Sequence, residues 1–166
     1  MLTDSPLSSL WFGQQIRSHS LDYCNALLTG LKQHDLNRLQ KLQNKAARLI
    51  HMKPKYSHAT PLLTELHWLP VDQRIHFKTA LNMFKTVSNT FPSYISDTLD
   101  LSKPKREGLR SQSNLVVPRS SRKFGDRAFS IAGPRNWNSL PTTIRNASSV
   151  EQFKGLLKTH LFNRSI

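Results

Sequence analysis

The sequence predicts a mainly α-helical fold: a helical hairpin plus corner-linked helices, a basic linker with room for a small β-hairpin, and a C-terminal helix. Three observations carry this. Leu36, Leu39, Leu42, Ala46, Leu49 and Ile50 recur at the three- and four-residue spacing of one helix face. Two tryptophan-to-Leu-Pro runs, Trp68-Leu69-Pro70 and Trp137 to Leu140-Pro141, each precede a further helical pattern. Ser148-Ser149-Val150-Glu151 has the form of a capping box, followed by apolar Phe153, Leu156, Leu157 and Leu161.

Taken in order, residues 1–17 show no period and read as a poorly ordered lead-in to a helical lobe over 18–100. Leu21, Cys24, Leu27, Leu28 and Leu31 predict a helix near 18–29 that stops at Gly30. Asp35 is placed to cap the next helix, which runs to about Met52, ahead of Pro54. The short Gly30–His34 connection favours an antiparallel hairpin. Thr60-Pro61 reads as a cap followed by proline at the first helical position. Trp68-Leu69-Pro70 closes that short helix, because proline donates no backbone N–H and pushes the preceding residue out of the helical region. Pro70 also suits the start of a new helix, and Ile75, Phe77, Leu81 and Phe84 continue the pattern to about Val87.

A short helix is expected in "PSYISDTL", and then the character of the chain changes. Residues 101–123 read as a basic linker, and the stretch to Arg127 carries Lys103, Lys105, Arg106, Arg110, Arg119, Arg122, Lys123 and Arg127 against two acids. Within it Leu115-Val116-Val117-Pro118 resembles a short strand, with Phe129 to Ile131 as its pairing partner. The C-terminal segment, 124–166, ends in the capped helix, braced by Trp137 and Leu140.

The 166 residues are enough to bury a core, although 37% hydrophobic content and a mean hydropathy of -0.47 leave residues over for segments outside it. Twenty-four Lys and Arg against ten Asp and Glu give a net charge of +14. A chain so charged repels itself unless an anion binds, and nucleic acid is the expected partner. A membrane ranks below it, since no segment sets its bases opposite a wide, bulky apolar face. The single cysteine, Cys24, excludes an internal disulfide and every zinc site built on two cysteines. Without a secretory signal or a membrane-length apolar run, the expected location is intracellular, nuclear or cytoplasmic.

Catalytic readings find little support. The ten acids are scattered with no Asp-Asp pair, which argues against two-metal phosphoryl transfer. Neither a Gly-x-Ser-x-Gly elbow nor a glycine-rich phosphate loop occurs, and the seven histidines do not form the paired motif of zinc proteases. His67, Asp72 and His76 could do acid–base work, but their position at a Leu-Pro corner favours a structural role, with Asp72 suited to a helix N-terminus. Trp68 and Trp137 are likewise expected in the core rather than stacked on bases. No cofactor and no metal is expected.

The binding candidates are basic. Arg38, Lys41, Lys45 and Arg48, spaced three, four and three, form a stripe beside the apolar face of one helix and can follow a phosphate backbone. Lys103, Lys105, Arg106, Arg110, Arg119, Arg122 and Lys123 form the second candidate. Contacts of this kind give affinity and salt dependence with little base specificity.

Five runs, "LDYCNALLTGL" (21–31), "LNRLQKLQNKAARLI" (36–50), "TPLLTELHWLPVDQRIHFK" (60–78), "FGDRAFSIAGPRNWNSLP" (124–141) and "FKGLLKTHLF" (153–162), resemble, in the same order, the region after the polymerase domain in LINE-type retrotransposons of the chicken-repeat and jockey-like kind. The resemblance implies the C-terminal part of a polyprotein acting in target-primed reverse transcription, where this region supports binding of template RNA or target DNA. The polymerase and endonuclease carboxylates have no counterpart here, so no catalytic residue carries over, and the single cysteine leaves no place for the zinc knuckle of some relatives. The expected function is therefore a non-catalytic accessory region that contacts RNA or DNA phosphates. The alternative is a structural remnant that packs on a reverse transcriptase domain.

Overall fold

Both Leu-Pro corners are built the same way. Pro70 and Pro141 each occupy the position just before a helix with extended backbone (φ/ψ -52°/154° and -57°/146°), and the preceding leucines, Leu69 and Leu140, are buried. The computed structural model describes residues 25–97, 99, 114–122 and 124–165. Among these, seven α-helices and two 3-10 turns are present, and no strand. The fold is mainly α.

A 3-10 turn at Asn25–Leu28 leads through Gly30 into α1 (Gln33–Ile50). Gly30 has φ +74°, and a Cβ there would lie 2.8 Å from Cγ of Arg127, so the turn demands glycine on both counts. The helix expected over 18–29 is a 3-10 turn in its described part, and the rest of it lies outside the described residues. Asp35 is not the cap of α1; the helix starts two residues earlier and Asp35 sits in its first turn, where a carboxylate suits the helix dipole. α2 (Thr60–Glu65) takes Thr60 as its first residue with Ala59 at the cap position, so Thr60 does not cap it either. Thr60 instead accepts at its carbonyl from Thr64 Oγ1.

α3 (Val71–Val87) is the central helix, with Val71, Ile75, Thr79, Ala80, Leu81, Met83, Phe84 and Thr86 buried. After the short α4 (Ser93–Ser96), residues 114–120 run without regular structure. The expected hairpin between Leu115–Pro118 and Phe129–Ile131 is absent. Leu115 instead pairs with a side chain: its N–H donates to Asn138 Oδ1 and its carbonyl accepts from Asn138 Nδ2, both at 2.8 Å. One carboxamide thus supplies what a neighbouring strand would have supplied.

Phe129 opens α5 (Phe129–Asn138), a helix the sequence conceals because Gly133 and Pro134 lie inside it. Burial offsets their cost. Ile131, Ala132, Gly133, Pro134 and Trp137 all face inward, and a Cβ on Gly133 would sit 3.1 Å from Met83 Sδ, so glycine lets α5 approach α3 closely. Past the second corner come α6 (Thr142–Arg145) and α7 (Val150–Ser165).

α7 returns across α3, and α3, α5 and α7 enclose the main core. Phe153 stacks on Phe84 at 4.3 Å and lies 6.0 Å from Trp137, between centroids. Leu157 and Leu161 continue the buried side of α7, but Leu156, expected with them, is exposed because it falls about 100° from Leu157, the centre of that side, around the helix. Ala47, Leu62 and Leu63 form a smaller cluster, with Trp68 packed against it. Both corner tryptophans therefore pack within the protein.

The cap of α7 is shifted by one residue from its sequence reading. Ser149 Oγ accepts from the Gln152 N–H at 3.2 Å, Ser148 N–H donates to Gln152 Oε1 at 2.8 Å, and Glu151 points away to pair with Lys154. Ser149→Ala is expected to lower stability by about 1 kcal/mol in urea denaturation, whereas Glu151→Gln should change it by less than about 0.5 kcal/mol.

Candidate nucleic-acid interface

α1 has a polar buried side, and this decides what its other faces present. Gln43 is fully buried and donates through Nε2 to the Leu69 carbonyl at 2.9 Å, while the Val71 N–H donates to Gln40 Oε1 at 2.8 Å. Gln40 Nε2 lies 3.0 Å from Gln43 Oε1 and 2.8 Å from Asn44 Oδ1, tying the amides together. The two glutamines hold the backbone on both sides of Pro70, where a helix-to-helix corner leaves an N–H and a carbonyl without helical partners.

To make these bonds, α1 is rotated away from the orientation its apolar pattern predicts. Gln43 and Ala47 point inward, Leu36, Leu39, Ala46 and Ile50 are half-buried, and Leu42 and Leu49 are 57% and 63% exposed. The six residues do share one side of α1, as their spacing predicts, but that side is only partly buried.

The same rotation points the basic stripe at solvent. Arg38, Lys41 and Lys45 fall within about 60° of one another around the helix, opposite Gln43 and Ala47. All three are exposed and make no ion pair or hydrogen bond among the described residues. Asp35 is the one acid in α1, and it lies beside His34 at 3.3 Å. Arg38 and Lys41 border a shallow groove of about 300 Å³ that also takes in His34, Asn37 and Asn44. Cations, amides and an imidazole in one groove can bind phosphate oxygens and accept or donate to base edges.

Arg48 behaves differently from the rest of its stripe. It is half-buried, and its Nε donates to the Ser57 carbonyl at 2.7 Å, closing the loop after α1. That loop adds cations the sequence reading passed over: Lys53 and Lys55 are exposed, next to an exposed Tyr56. The signal was present in "KPKY", a basic run with an aromatic at its end, which pairs phosphate contact with a stacking surface.

In the second basic group Arg119 and Arg122 are exposed, whereas Lys103, Lys105, Arg106, Arg110 and Lys123 lie outside the described residues. Arg127 turns inward: its Nε donates to the Gly30 carbonyl at 2.8 Å and its guanidinium lies 5.8 Å from the Phe124 ring centroid. The His67, Asp72 and His76 trio divides. His76 Nε2 is 3.8 Å from Asp72 Oδ1 one turn away, while His67, at φ +52°, meets Phe162 edge-on at 6.5 Å. His67 therefore serves the corner and its contact with α7.

Among the described residues no helix is long and apolar enough to cross a membrane, and no three His, Cys, Asp or Glu side chains gather at a distance suited to a metal. No family model, curated protein or solved structure matches the chain.

Proposed function

We propose that this protein is a non-catalytic nucleic-acid-binding module that contacts the phosphates of RNA or DNA through Arg38, Lys41 and Lys45, with Lys53 and Lys55 extending the track. The observation that carries this reading is the row of three unpaired cations along the solvent side of a helix whose opposite side is tied to the core. Arg119, Arg122 and the basic residues before them add charge to the same +14 chain. Its place as an accessory region of a retrotransposon reverse transcriptase rests on the five sequence runs that resemble that family.

The experiment is a salt series. Binding of fluorescent single-stranded RNA, single-stranded DNA and duplex DNA is measured for the full chain and for Arg38→Gln/Lys41→Gln/Lys45→Gln; Arg48 is left intact because it holds the Ser57 loop. The expected result is affinity that falls steeply with salt, with a log–log slope shallower by up to about 3 in the variant. An unchanged slope would assign the contacts to the basic segment around Arg119 and Arg122. No binding by a folded chain at low salt would overturn the reading.

One observation favours a second reading, docking on a reverse transcriptase domain or another protein. Leu42 and Leu49 are exposed on the flank of the basic stripe, and Leu27 is 80% exposed near the start of the same helix. A surface of this kind fits a partner that covers apolar area. It is the reading that remains if the chain folds and ignores nucleic acid.

A further inference from the structure

Away from α1's basic stripe, a cleft of about 510 Å³ opens between the Thr29-Gly30 turn, α3, α5 and the last turns of α7. Its floor is mostly apolar, made by Ile75, Ala132, Leu140 and Leu161, with the buried Thr79 hydroxyl among them already donated to the Ile75 carbonyl at 2.9 Å. Its rim is cationic. Arg127, Arg135 and Arg164 arrive from three separate segments, His76 and His160 stand beside them, and Asp126 is the one carboxylate among the lining residues.

The rim's donors are only partly used. Arg127 spends its Nε on the Gly30 carbonyl, and Arg135 meets Asp126 at 3.3 Å through one terminal nitrogen. Each guanidinium has five N–H groups, so most remain available. Arg164 and His160 make no hydrogen bond or ion pair among the described residues. Asn136 is fixed in the wall by its Nδ2 bond to the His76 carbonyl at 2.9 Å, which leaves its Oδ1 as an acceptor.

We infer that this cleft binds one nucleotide unit, its phosphate held by Arg135 and Arg164 at the rim and its base laid against the Ile75, Ala132, Leu140 and Leu161 floor. The volume falls in the usual range for small-molecule sites and far exceeds what a phosphate ion alone would fill. Three guanidiniums facing one carboxylate select an anion, and planar forks match phosphate oxygens in pairs. The apolar floor selects an anion that carries a flat, weakly polar body, which is the chemistry of a nucleoside phosphate. The unit can come from a free nucleotide or from a residue of a single strand. The cleft uses none of the α1 stripe and stands independently of it.

The test is calorimetric titration of the full chain with a nucleoside 5′-monophosphate, the parent nucleoside, inorganic phosphate and a tetranucleotide. The expected result is binding of the monophosphate at least tenfold tighter than either the nucleoside or phosphate alone. Arg164→Gln, at a residue with no described partner and so with little bearing on folding, should weaken it severalfold, and Arg135→Gln/Arg164→Gln at least tenfold. A tetranucleotide that binds tighter than the monophosphate, and still requires Arg135 and Arg164, identifies the source as a strand; equal affinity identifies a free nucleotide. The inference is overturned if the folded chain fails to bind the monophosphate at millimolar concentration, if phosphate alone binds as well, or if both arginine variants bind unchanged. Failure here with an intact salt dependence on long strands would leave the α1 interface standing; the reverse pattern would leave the cleft.

Discussion

Phe153→Ala is expected to destabilise the protein by about 3–5 kcal/mol, the largest effect of any single truncation considered. Phe153 is fully buried, stacked on Phe84 at 4.3 Å and near Trp137, so its ring joins α3, α5 and α7 at one point. Truncation removes the transfer free energy of the ring and leaves a void between three helices that cannot all close on it. A domain of ordinary stability, about 5–15 kcal/mol, would lose a large part of its margin. Urea denaturation followed by circular dichroism measures the change. Leu156→Ala, three residues along the same helix at an exposed position, is the control, with an expected loss below about 1 kcal/mol. Equal losses at the two positions would mean that α7 does not carry the core in this orientation.

The second large effect reverses what the apolar pattern of α1 suggests. Gln43→Leu, a polar-to-apolar change on a helix rich in leucine, should cost about 2 kcal/mol, because the Leu69 carbonyl and Gln40 lose a buried partner. Leu42→Gln, an apolar-to-polar change at the adjacent residue, should cost less than about 0.5 kcal/mol, since Leu42 is 57% exposed. Were α1 oriented by its leucines, the two outcomes would exchange places. A double-mutant cycle between Gln40 and Gln43 should give a coupling on the order of 1 kcal/mol, as both amides hold the same corner. Additive effects would show that the two glutamines act separately.

How far the proposed interface could be read in advance follows from the range of the contacts its residues make. Arg38, Lys41 and Lys45 were legible because a stripe on one helix needs only the 3.6-residue period and the scarcity of acids between them. Arg48, fourth in that series, is drawn off by the Ser57 carbonyl, a contact set by the path of the loop after the helix. Arg127, grouped with the basic linker by its neighbours in sequence, is drawn inward by the Gly30 carbonyl, ninety-seven residues away. The cleft lined by Arg135 and Arg164 left no mark in any local pattern, because its walls come from separate segments that are brought together only when α5 and α7 have packed on α3.

The sequence by itself determined the helical class, the two Leu-Pro corners, the boundaries of the long helix from Val71 to Val87 and the presence of a capped C-terminal helix. These rest on forces that act within a few residues: proline's missing N–H and fixed φ, serine's hydroxyl at a helix start, and the spacing of apolar side chains. Tertiary structure alone decided three things. It turned Phe129–Asn138 into a helix despite Gly133 and Pro134, since close packing on Met83 outweighs their poor propensity. Replacement of the expected hairpin followed, with the Asn138 carboxamide in the role of a strand. It also set the rotation of α1, because an unpaired buried N–H or carbonyl at the Pro70 corner costs more than leaving Leu42 and Leu49 in water.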